Sequence, residues 1–460
     1  MTYNPENQYR CTIIRGKTTS ADDLLPAYAH IIESVCPCPK NQFPSLFNGQ
    51  LAAVMPAETV KTLNNHRTEI AGKLFGMFYI DKQDTVQISQ RTQKLIADND
   101  QPAFFKDICF KLQFPNGMDK IGKIRNDIRH KINIRQCAYV LAVLREAKKF
   151  KFIPTLNEIG YHILNSLDVL QRRVDLKDVV KIMIDRRSKK DLRRVPSGSR
   201  GTQHIRETLN YMQLANLIKI EEGSIVLNDK ESRAVGYIAS LWGKELDFDF
   251  RKFDLNKIEE RKKMFFEWQL HYSKTTPQTE KIFNTSVRSL PGSLNDLREQ
   301  GYDVSHGRDA METGDEGEVY VFEYEKNRIK SYNPRFVNKV LLLGKTKGLG
   351  FDIQSVRADH SKQDEFSVFI EVKTTKRVTV PHITDEWNDV LSMTRNEWKA
   401  AEQNGENYWI YRVYFTPSKV VIFAIHNPFD KNEEGVIKVV PEKYRVDFTG
   451  KAGAFLNEQK

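Results

Sequence analysis

The sequence predicts a multidomain protein of the α+β class, in which helix-and-hairpin units precede a C-terminal domain built on apolar strands. At 460 residues, the chain has room for about two to four domains that each bury a core. Residues 202–227 change from helical to strand-like apolar spacing, and residues 366–375 alternate as a half-buried strand does. Residues 273–293, between these regions, are punctuated by Pro, Gly, Ser and Thr. Together these observations place a domain boundary in the middle of the chain.

The strongest strand of the C-terminal half is Phe366-Ser-Val-Phe-Ile-Glu-Val-Lys-Thr-Thr375. Successive side chains of a strand point to opposite faces, so the apolar residues at its even positions share one face. Glu371 and Lys373 project together from the other face. The segment Gly350-Phe-Asp-Ile353 is strand-like and carries Asp352, 19 positions before Glu371. We expect two neighbouring strands that bring Asp352, Glu371 and Lys373 to one edge of a sheet.

A glutamate two positions before a lysine is a weak signal by itself, because a surface ion pair has the same spacing. The pattern occurs at five places in this chain. The four other matches begin at Glu146, Glu260, Glu397 and Glu458. Glu371 differs from them because it lies in a strongly apolar strand and has an acidic residue on a second strand-like segment upstream.

These three side chains suit the metal-dependent hydrolysis of a phosphodiester. Such a reaction near neutral pH needs a hard divalent cation, which takes oxygen ligands and keeps reactive waters. Asp352, Glu371 and the backbone carbonyl of Val372 would supply the ligands, and Mg²⁺ is the expected cofactor. Lys373 would orient or deprotonate the attacking water and offset charge on the phosphorane. Two adjacent carboxylates repel unless a cation lies between them, so their pairing itself indicates a metal.

With these residues in view, the stretch from Gly314 to Phe415 resembles the PD-(D/E)xK nuclease superfamily. The resemblance implies an αβα core with a central mixed sheet, shared with restriction enzymes and Holliday-junction resolvases. Thr313–Glu325 resembles its first core helix, in which Glu318 corresponds to a glutamate near the metal site. The alternative for Glu318 is a solvated carboxylate favoured by the helix dipole. The helix after the catalytic strand and a further core strand are matched by Met393–Ala401 and Tyr408–Tyr414. One departure is Phe351, which stands where the full motif has proline.

Composition favours an intracellular protein. No segment approaches the ~20 apolar residues of a membrane span, and the first seven residues lack a signal-peptide pattern. The five cysteines do not form a disulfide framework or a pair of zinc knuckles, so we expect no structural zinc. The expected location is the cytoplasm.

The excess of positive over negative charge lies entirely in the N-terminal part. Residues 286–460 contain 25 of the 71 lysines and arginines and 27 of the 60 aspartates and glutamates, a net charge of −2. The whole chain has a net charge of +11, so residues 1–285 have a net charge of +13. This distribution indicates that phosphate affinity resides mainly in the N-terminal part. The alternative is a basic surface that serves only solubility.

Residues 202–227 have the order of a recognition helix and its wing. Ile205, Leu209 and Met212 lie on one helical face, and two short strands joined by Glu221-Glu-Gly-Ser224 follow. This order is typical of a winged-helix unit. The polar side of the helix supplies four predicted DNA contacts, namely Gln203, His204, Arg206 and Asn210.

A first unit of the same kind is predicted from Val60–Phe75, with wing strands at Phe78–Ile80 and Val86–Ser89. Arginine reads guanine, and asparagine reads adenine, in a major groove. The predicted contacts of this helix are Asn65, His66, Arg67 and Lys73. A helix that only packs in a core would show the same apolar spacing. The extreme N-terminus resembles an arm along DNA, with contacts from Arg10, Arg15 and Lys17.

Over the whole chain, this organisation resembles Type IIS-like restriction endonucleases of the BpuJI kind. The sequence segments that carry the resemblance include Arg10-Cys-Thr-Ile-Ile-Arg-Gly-Lys17, His66–Phe78 and Gln101–Lys111. It implies winged-helix-like subdomains at residues 1–145, with the arm, and 146–275, a linker at 276–305, and a catalytic and dimerisation domain at 306–460. The implied partners are double-stranded DNA read at a short asymmetric sequence, a second copy of the chain, and a cognate DNA methyltransferase. Cleavage would occur outside the recognised sequence.

Two other classes of function share parts of this pattern. A Holliday-junction or repair nuclease would use the same carboxylates but would select its substrate by DNA shape. Such an enzyme needs no appended reader, so the helix-and-hairpin units argue against it. A non-catalytic, sequence-specific DNA-binding protein would keep the reader and a degenerate nuclease fold. The intact Asp352, Glu371 and Lys373 argue against that alternative.

Overall fold

The computed structural model describes residues 3–11, 21–195, 199–275, 282–283, 287, 290–304, 315–346, 348–360, 364–382 and 387–440, without the side chains of residues 199–202 and 290–291. None of the helices in these ranges combines the length and the hydrophobicity of a membrane-spanning segment.

Helices dominate the N-terminal part. They are Ala21–Val35 (α1), Phe43–Val54 (α2), Val60–Asn65 (α3), Gln90–Asp98 (α4), Gln101–Lys111 (α5), Ile121–Arg129 (α6), Gln136–Lys149 (α7), Leu156–Ile159 (α8), Leu167–Leu170 (α9), Leu176–Ser188 (α10), Ser199–Leu214 (α11), Ser232–Ala239 (α12) and Ile258–Ser273 (α13). Wide π-type turns extend α3 through His66–Leu74 and α8 through Gly160–Leu164. The strands are Cys38–Pro39 (β1), Phe78–Ile80 (β2), Thr85–Ile88 (β3), Ile218–Glu221 (β4) and Ser224–Leu227 (β5).

One contiguous hydrophobic core runs through this part, from Cys11 to Phe283. The division between subdomains that was predicted at residue 145 falls inside α7, which buries Gln136–Leu144 and Ala147. Buried charges are neutralised across the core as well. The Nζ atom of Lys106 lies 2.6 Å from a carboxylate oxygen of Glu231, and both side chains are buried. A paired charge of this kind avoids the large cost of an isolated buried ion.

The predicted helix followed by a hairpin is present at α11, β4 and β5. Leu209 and Met212 are fully buried, as the helical spacing requires. The strands pair in register from Ile218 opposite Leu227 to Glu221 opposite Ser224. Between them, Glu222 and Gly223 have φ values of 48° and 80°, which is the geometry of a tight type I′ turn.

The first predicted unit has a helix and strands too, although its helix is irregular. The segment predicted as one helix over Val60–Phe75 divides into α3 and the π-type turns that follow it. β2 and β3 form an antiparallel pair, and β1 extends the sheet on the other side of β3.

A five-stranded mixed sheet forms the centre of the C-terminal part. Its strands are Leu341–Leu342 (β6), Ile353–Val356 (β7), Ser367–Lys376 (β8), Tyr408–Phe415 (β9) and Val420–His426 (β10). The helices of this part are Leu290–Glu299 (α14), Glu316–Tyr332 (α15), Arg395–Asn404 (α16) and Pro428–Glu433 (α17). The strand order is β10-β9-β8-β7-β6, in which β8 and β9 are parallel and every other pair is antiparallel.

The sheet is covered on both faces. On one face, α15 contributes Val319 and Val321 to a cluster with Ile370 and Val372. On the other face, α16 packs Ala400 and Ala401 against β9. The chain therefore forms a helix–sheet–helix sandwich around β8.

Two details of the predicted strands differ from the structure. Asp352, predicted within a strand-like segment, lies immediately before β7. Phe366, predicted on the apolar face, precedes β8 and is 54% exposed, because the strand begins only at Ser367. The remaining apolar positions of that face are buried.

The predicted linker at 276–305 carries structure at its C-terminal end. α14 buries Leu294 and Leu297 in the C-terminal core, whereas Phe283 belongs to the N-terminal core. The change from one core to the other thus occurs between Phe283 and Leu294.

The N-terminal part contacts the C-terminal part at the end of β8. The Arg377 guanidinium lies 2.9 Å from Asp22 and 2.6 Å from Asp23, at the start of α1. The backbone N–H of Lys376 donates to the carbonyl of Asn99 at 2.9 Å. The strand that carries the predicted catalytic residues therefore ends against the N-terminal part.

Candidate functional site

The site is built where β8 continues beyond its neighbour β7. β7 pairs with β8 only from Ser367 to Ile370. At that point the N–H of Val372 donates to Oδ2 of Asp352 at 2.8 Å, and the N–H of Asp352 donates to the carbonyl of Ile370 at 3.0 Å. The N–H and C=O groups of one strand residue point to the same side, so the Val372 carbonyl also faces the Asp352 side of β8.

Glu371 and Lys373 lie together on the opposite face of β8 from the Val372 side chain. An ammonium–carboxylate distance of 2.6 Å joins Lys373 Nζ to Glu371 Oε1. Glu371 is 3% exposed and Lys373 is 20% exposed. The structure thus brings together the three residues that the strand pattern predicted as neighbours.

A fourth charged residue, which the sequence analysis passed over, completes this side of the site. Glu397 Oε2 lies 2.9 Å from Lys373 Nζ. Glu397 is at the third position of α16 and forms a capping box with Thr394. In the sequence it counted only as one of the four background Glu-x-Lys matches. The Thr-x-x-Glu spacing of a capping box was the available signal, but it predicts a helix start and not a contact with Lys373.

Glu318 reaches the site from the first turn of α15. A Cβ atom at the preceding Gly317 would collide with Thr374 Oγ1, and one at Gly344 would collide with the Glu318 carboxylate. Gly317 therefore allows α15 to pack closely on β8, and Gly344 allows the loop after β6 to pack closely on Glu318. Glu318 Oε2 is buried and has no hydrogen-bond partner among the described residues.

The carboxylates of the site repel one another in a poorly solvated region. Burial, with added repulsion from Asp352, raises the pKa of Glu318 to about 7. Burial also raises the pKa of Glu371 to about 8, against the attraction of Lys373. The pKa of Asp352 is raised by burial, although the Val372 N–H favours its ionised form. A cation beside these groups would relieve the repulsion.

The oxygen donors of the site are of the type that a magnesium ion takes. No group of three or more His, Cys, Asp or Glu side chains arranged to hold a metal is found in the described part of the chain. Structural zinc needs such a set. Mg²⁺, by contrast, is often held by one or two carboxylates and keeps several waters. Asp352, Glu371 and the Val372 carbonyl are the oxygen donors that could hold an ion in this way.

Comparison with known proteins identifies the N-terminal part. Residues 3–269, more than half of the chain, match the family described as "Restriction endonuclease BpuJI - N terminal". The chain belongs to this family. A solved structure is also similar: the crystal structure of pyrene- and phenanthrene-modified DNA in complex with the BpuJ1 endonuclease binding domain. It is 48% identical, with a TM-score of 0.57, and the match covers 59% of this chain and all of that one. No curated protein matches the chain.

The C-terminal part is similar to a different family. Residues 317–425 match the family described as "Protein NO VEIN, C-terminal". The matched range begins one residue before Glu318 and ends within β10. It therefore contains every residue of the candidate site, from Glu318 to Glu397.

In the BpuJI-type domain, the predicted contacts of α11 differ in accessibility. Gln203 and Arg206 are exposed, and Asn210 is half-buried. His204 is 4% exposed and its ring contacts the guanidinium of Arg10. The expectation that His204 lies on the polar outer side of the helix is therefore wrong, because this position faces Arg10 of the N-terminal segment.

The predicted contacts of the first unit are also placed unequally. Asn65 and Lys73 are exposed, and Lys73 forms an ion pair with Glu69 at 2.7 Å. His66 is half-buried against the hydroxyl of Tyr28. Arg67 donates to side-chain oxygens of Asn48 and Asn64, at 2.8 and 2.7 Å, which are contacts within its own domain. Arg15 and Lys17 lie outside the described residues.

Proposed function

We propose that the protein is a Mg²⁺-dependent Type II restriction endonuclease of the IIS-like kind. Its N-terminal part would recognise a short asymmetric sequence in double-stranded DNA, and its C-terminal part would hydrolyse phosphodiester bonds outside that sequence. The observation that carries the proposal is the convergence of Asp352, Glu371 and Lys373 at the free edge of β8, in a chain that also contains a BpuJI-type domain.

Membership of the BpuJI family supports DNA recognition by the N-terminal part. The binding domain to which it is similar was solved in complex with DNA. The +13 charge of residues 1–285 suits a phosphate backbone. Exposed Arg206 and Gln203 on α11 have the chemistry to read base edges in a major groove. Residues 1–145 and 146–275 remain our proposed reader subdomains of the winged-helix kind.

The order of elements in the C-terminal part supports a PD-(D/E)xK nuclease domain. A helix, three antiparallel strands, a second helix and a strand parallel to β8 follow one another from α15 to β9. Asp352, Glu371 and the Val372 carbonyl would hold the metal ion, which supplies an activated water and neutralises charge when bound.

The chain's own residues position the reactants around the scissile phosphate. The Lys373 ammonium donates hydrogen bonds, so it can orient the attacking water and stabilise the extra negative charge on the oxygens of the five-coordinate phosphorane. Glu318 extends the acidic surface beside Asp352. Hydrolysis forms a bond from the water oxygen to phosphorus, breaks the bond to the leaving oxygen, and transfers the water proton to solvent or to that oxygen.

A double-strand break needs either a second active site or sequential nicking of the two strands by one site. One site of this kind cuts one strand, so we propose that two copies associate through the domain at residues 306–460. A host that carries such an enzyme must protect its own DNA, for which a cognate methyltransferase is the proposed partner.

Two observations favour a second candidate, a sequence-specific DNA-binding protein that does not cleave. Lys373 is already paired with two glutamates, and no three-residue metal cluster is found among the described residues. In that case the C-terminal part would serve another purpose.

Mapping of DNA ends separates these candidates. The full-length protein and a sequenced phage DNA are incubated with Mg²⁺, and the ends are located by sequencing. Ends near a common short sequence support the endonuclease. Asp352→Ala and Lys373→Ala should abolish the ends while specific fragments are still bound. Binding without any cleavage by the unchanged protein supports the second candidate, and preferential cutting of four-way junctions would indicate a structure-selective nuclease.

A further inference from the structure

We infer that Glu397 is a positioning residue for Lys373. This inference deepens the proposed nuclease function and rests on it. A lysine side chain carries a compact ammonium group on a flexible stem of four carbons, so the position of the ammonium is set by the groups around it. Here the ammonium lies between two carboxylates on different elements, at 2.6 Å from Glu371 on β8 and 2.9 Å from Glu397 on α16.

Glu397 is itself held firmly. Its Oε2 atom accepts a hydrogen bond from the Thr394 N–H at 2.9 Å, and its own N–H donates to Thr394 Oγ1 at 3.3 Å. This reciprocal pair fixes both the start of α16 and the glutamate side chain. The Glu397 side chain is 16% exposed, and its carboxylate can still accept a hydrogen bond from the Lys373 ammonium.

The helix that carries Glu397 also supports the Asp352 side of the site. Gly350, two residues before Asp352, has φ +76°, and a Cβ atom there would lie 2.6 Å from the Asn396 carbonyl and 2.8 Å from the Cβ of Ala400. The carbonyl of Gly350 accepts a hydrogen bond from the Tyr408 hydroxyl at 2.7 Å. The start of α16 is thus packed against the turn that leads into Asp352. One rigid element therefore fixes both Lys373 and the approach to Asp352.

The role of Glu397 follows from the competition at Glu371. An ammonium that was paired with Glu371 only would occupy the carboxylate that the metal ion needs. A second carboxylate shares this ammonium and holds it beside the metal position, where it can act on the water or the phosphate. Glu397 does not touch substrate in this scheme; it acts through Lys373.

Two substitutions and a matched control test the inference in the full-length protein. Glu397→Ala removes the carboxylate, and Glu397→Gln keeps an acceptor of similar size. The control is Glu402→Gln, which removes an exposed acid from the same helix; among the described residues, its ion pair is with Lys399. Each protein is assayed for single-turnover cleavage of a saturating cognate DNA, for the Kd of that DNA without Mg²⁺, and for its melting temperature.

We expect Glu397→Ala to lower the cleavage rate by roughly 10- to 100-fold, the usual effect of losing a residue that supports a metal-site group. The Kd for DNA should be unchanged, and Glu397→Gln should restore part of the rate. Glu402→Gln should cleave as the unchanged protein does. A wild-type rate for Glu397→Ala would overturn the inference. A fall in rate matched by a fall in melting temperature, with no rescue by glutamine, would overturn it too.

A crystal structure of Glu397→Ala gives a readout that is independent of cleavage. We expect the Lys373 ammonium to leave its position between β8 and α16. An unmoved ammonium would overturn the positioning role, even if the protein were an active nuclease. A displaced ammonium in a protein that never cleaves DNA would instead keep the role and refute the proposed function.

Discussion

Replacement of Arg377 by alanine should destabilise the protein strongly, because it removes the counter-ion that the described residues provide to one buried carboxylate, Asp22, and one half-buried carboxylate, Asp23. Arg377 is 5% exposed and donates to Asp22 and Asp23, whose side chains are 4% and 34% exposed. Thr379 also donates to Asp22, but a neutral hydroxyl does not neutralise a charge. The substitution removes the only guanidinium that the described contacts bring to this acidic pair.

The magnitude follows from the burial. Removing one partner of a buried ion pair costs about 3 to 5 kcal/mol, because the remaining charge is buried and uncompensated. Both aspartates lie in the first turn of α1, where the helix dipole returns about 0.3 to 1 kcal/mol for each. A net loss of about 3 kcal/mol in the free energy of unfolding is expected. Lys40→Ala breaks an exposed pair with Asp84 and should cost about 0 to 1 kcal/mol.

The loss should depend on pH in a defined direction. Burial already raises the pKa of Asp23, and removal of Arg377 raises it further. A folded carboxyl with a raised pKa binds more protons than its unfolded form, so stability falls as pH rises above the unfolded value near 4. Arg377→Ala should therefore approach the unchanged protein at pH 5 and fall behind it at pH 8.

Urea unfolding of Arg377→Ala, Lys40→Ala and the unchanged protein at both pH values measures these effects. The charge-free combination Asp22→Asn, Asp23→Asn, Arg377→Met should recover much of the stability. Equal midpoints for Arg377→Ala and Lys40→Ala would refute the reasoning, and so would a loss that is greater at pH 5 than at pH 8.

Three further predictions concern the two functional regions. Gly317→Val should force α15 away from Thr374 and lower the cleavage rate by about 100-fold, since a shift of about 1 Å has that effect on catalysis. Adding Thr374→Ala should partly restore the cleavage rate of this variant. Losses of rate that simply add in the double variant would contradict the close packing of Gly317 on Thr374. Mg²⁺ should bind more tightly as pH rises from 6 to 9, because Glu371, with a pKa of about 8, and Glu318, with a pKa of about 7, must lose protons first. Calorimetry in two buffers should detect the release of protons on binding. An affinity for Mg²⁺ that does not change with pH would be inconsistent with these values. Arg206→Ala should weaken specific DNA binding, measured by fluorescence anisotropy, by about 1 to 3 kcal/mol if the side chain reads a base. An equal loss of affinity for unrelated DNA would indicate a phosphate contact instead.

Strand periodicity was sufficient to predict the centre of the candidate site. The alternation of β8 separated Glu371 from its apolar neighbours, and the two-residue period requires Lys373 to share its face. The approach of Asp352 rested on the expectation that adjacent strand-like segments pair, and the Val372–Asp352 hydrogen bond agrees with it. These relations are local or involve neighbouring strands, so the sequence pattern contains them.

Contacts that depend on tertiary packing could not be predicted from the sequence pattern. Glu397 meets Lys373 only because α16 packs on one face of the sheet, and its own sequence context resembles any capped helix. Arg377 and Asp22 are 355 positions apart, and nothing near either residue predicts the other. The burial of His204 depends on Arg10 lying beside α11. Periodicity assigns a side to a helix but does not say what covers that side.

The most direct test of the central claim is the anomalous diffraction of Mn²⁺ in crystals of the full-length protein with DNA. Mn²⁺ replaces Mg²⁺ at oxygen-rich sites and can be located by its scattering. The proposed function predicts a peak within bonding distance of Asp352, Glu371 and the Val372 carbonyl, with Lys373 beside it. A crystal at saturating Mn²⁺ with no peak at these residues would contradict the proposal that β8 carries a metal-dependent nuclease site.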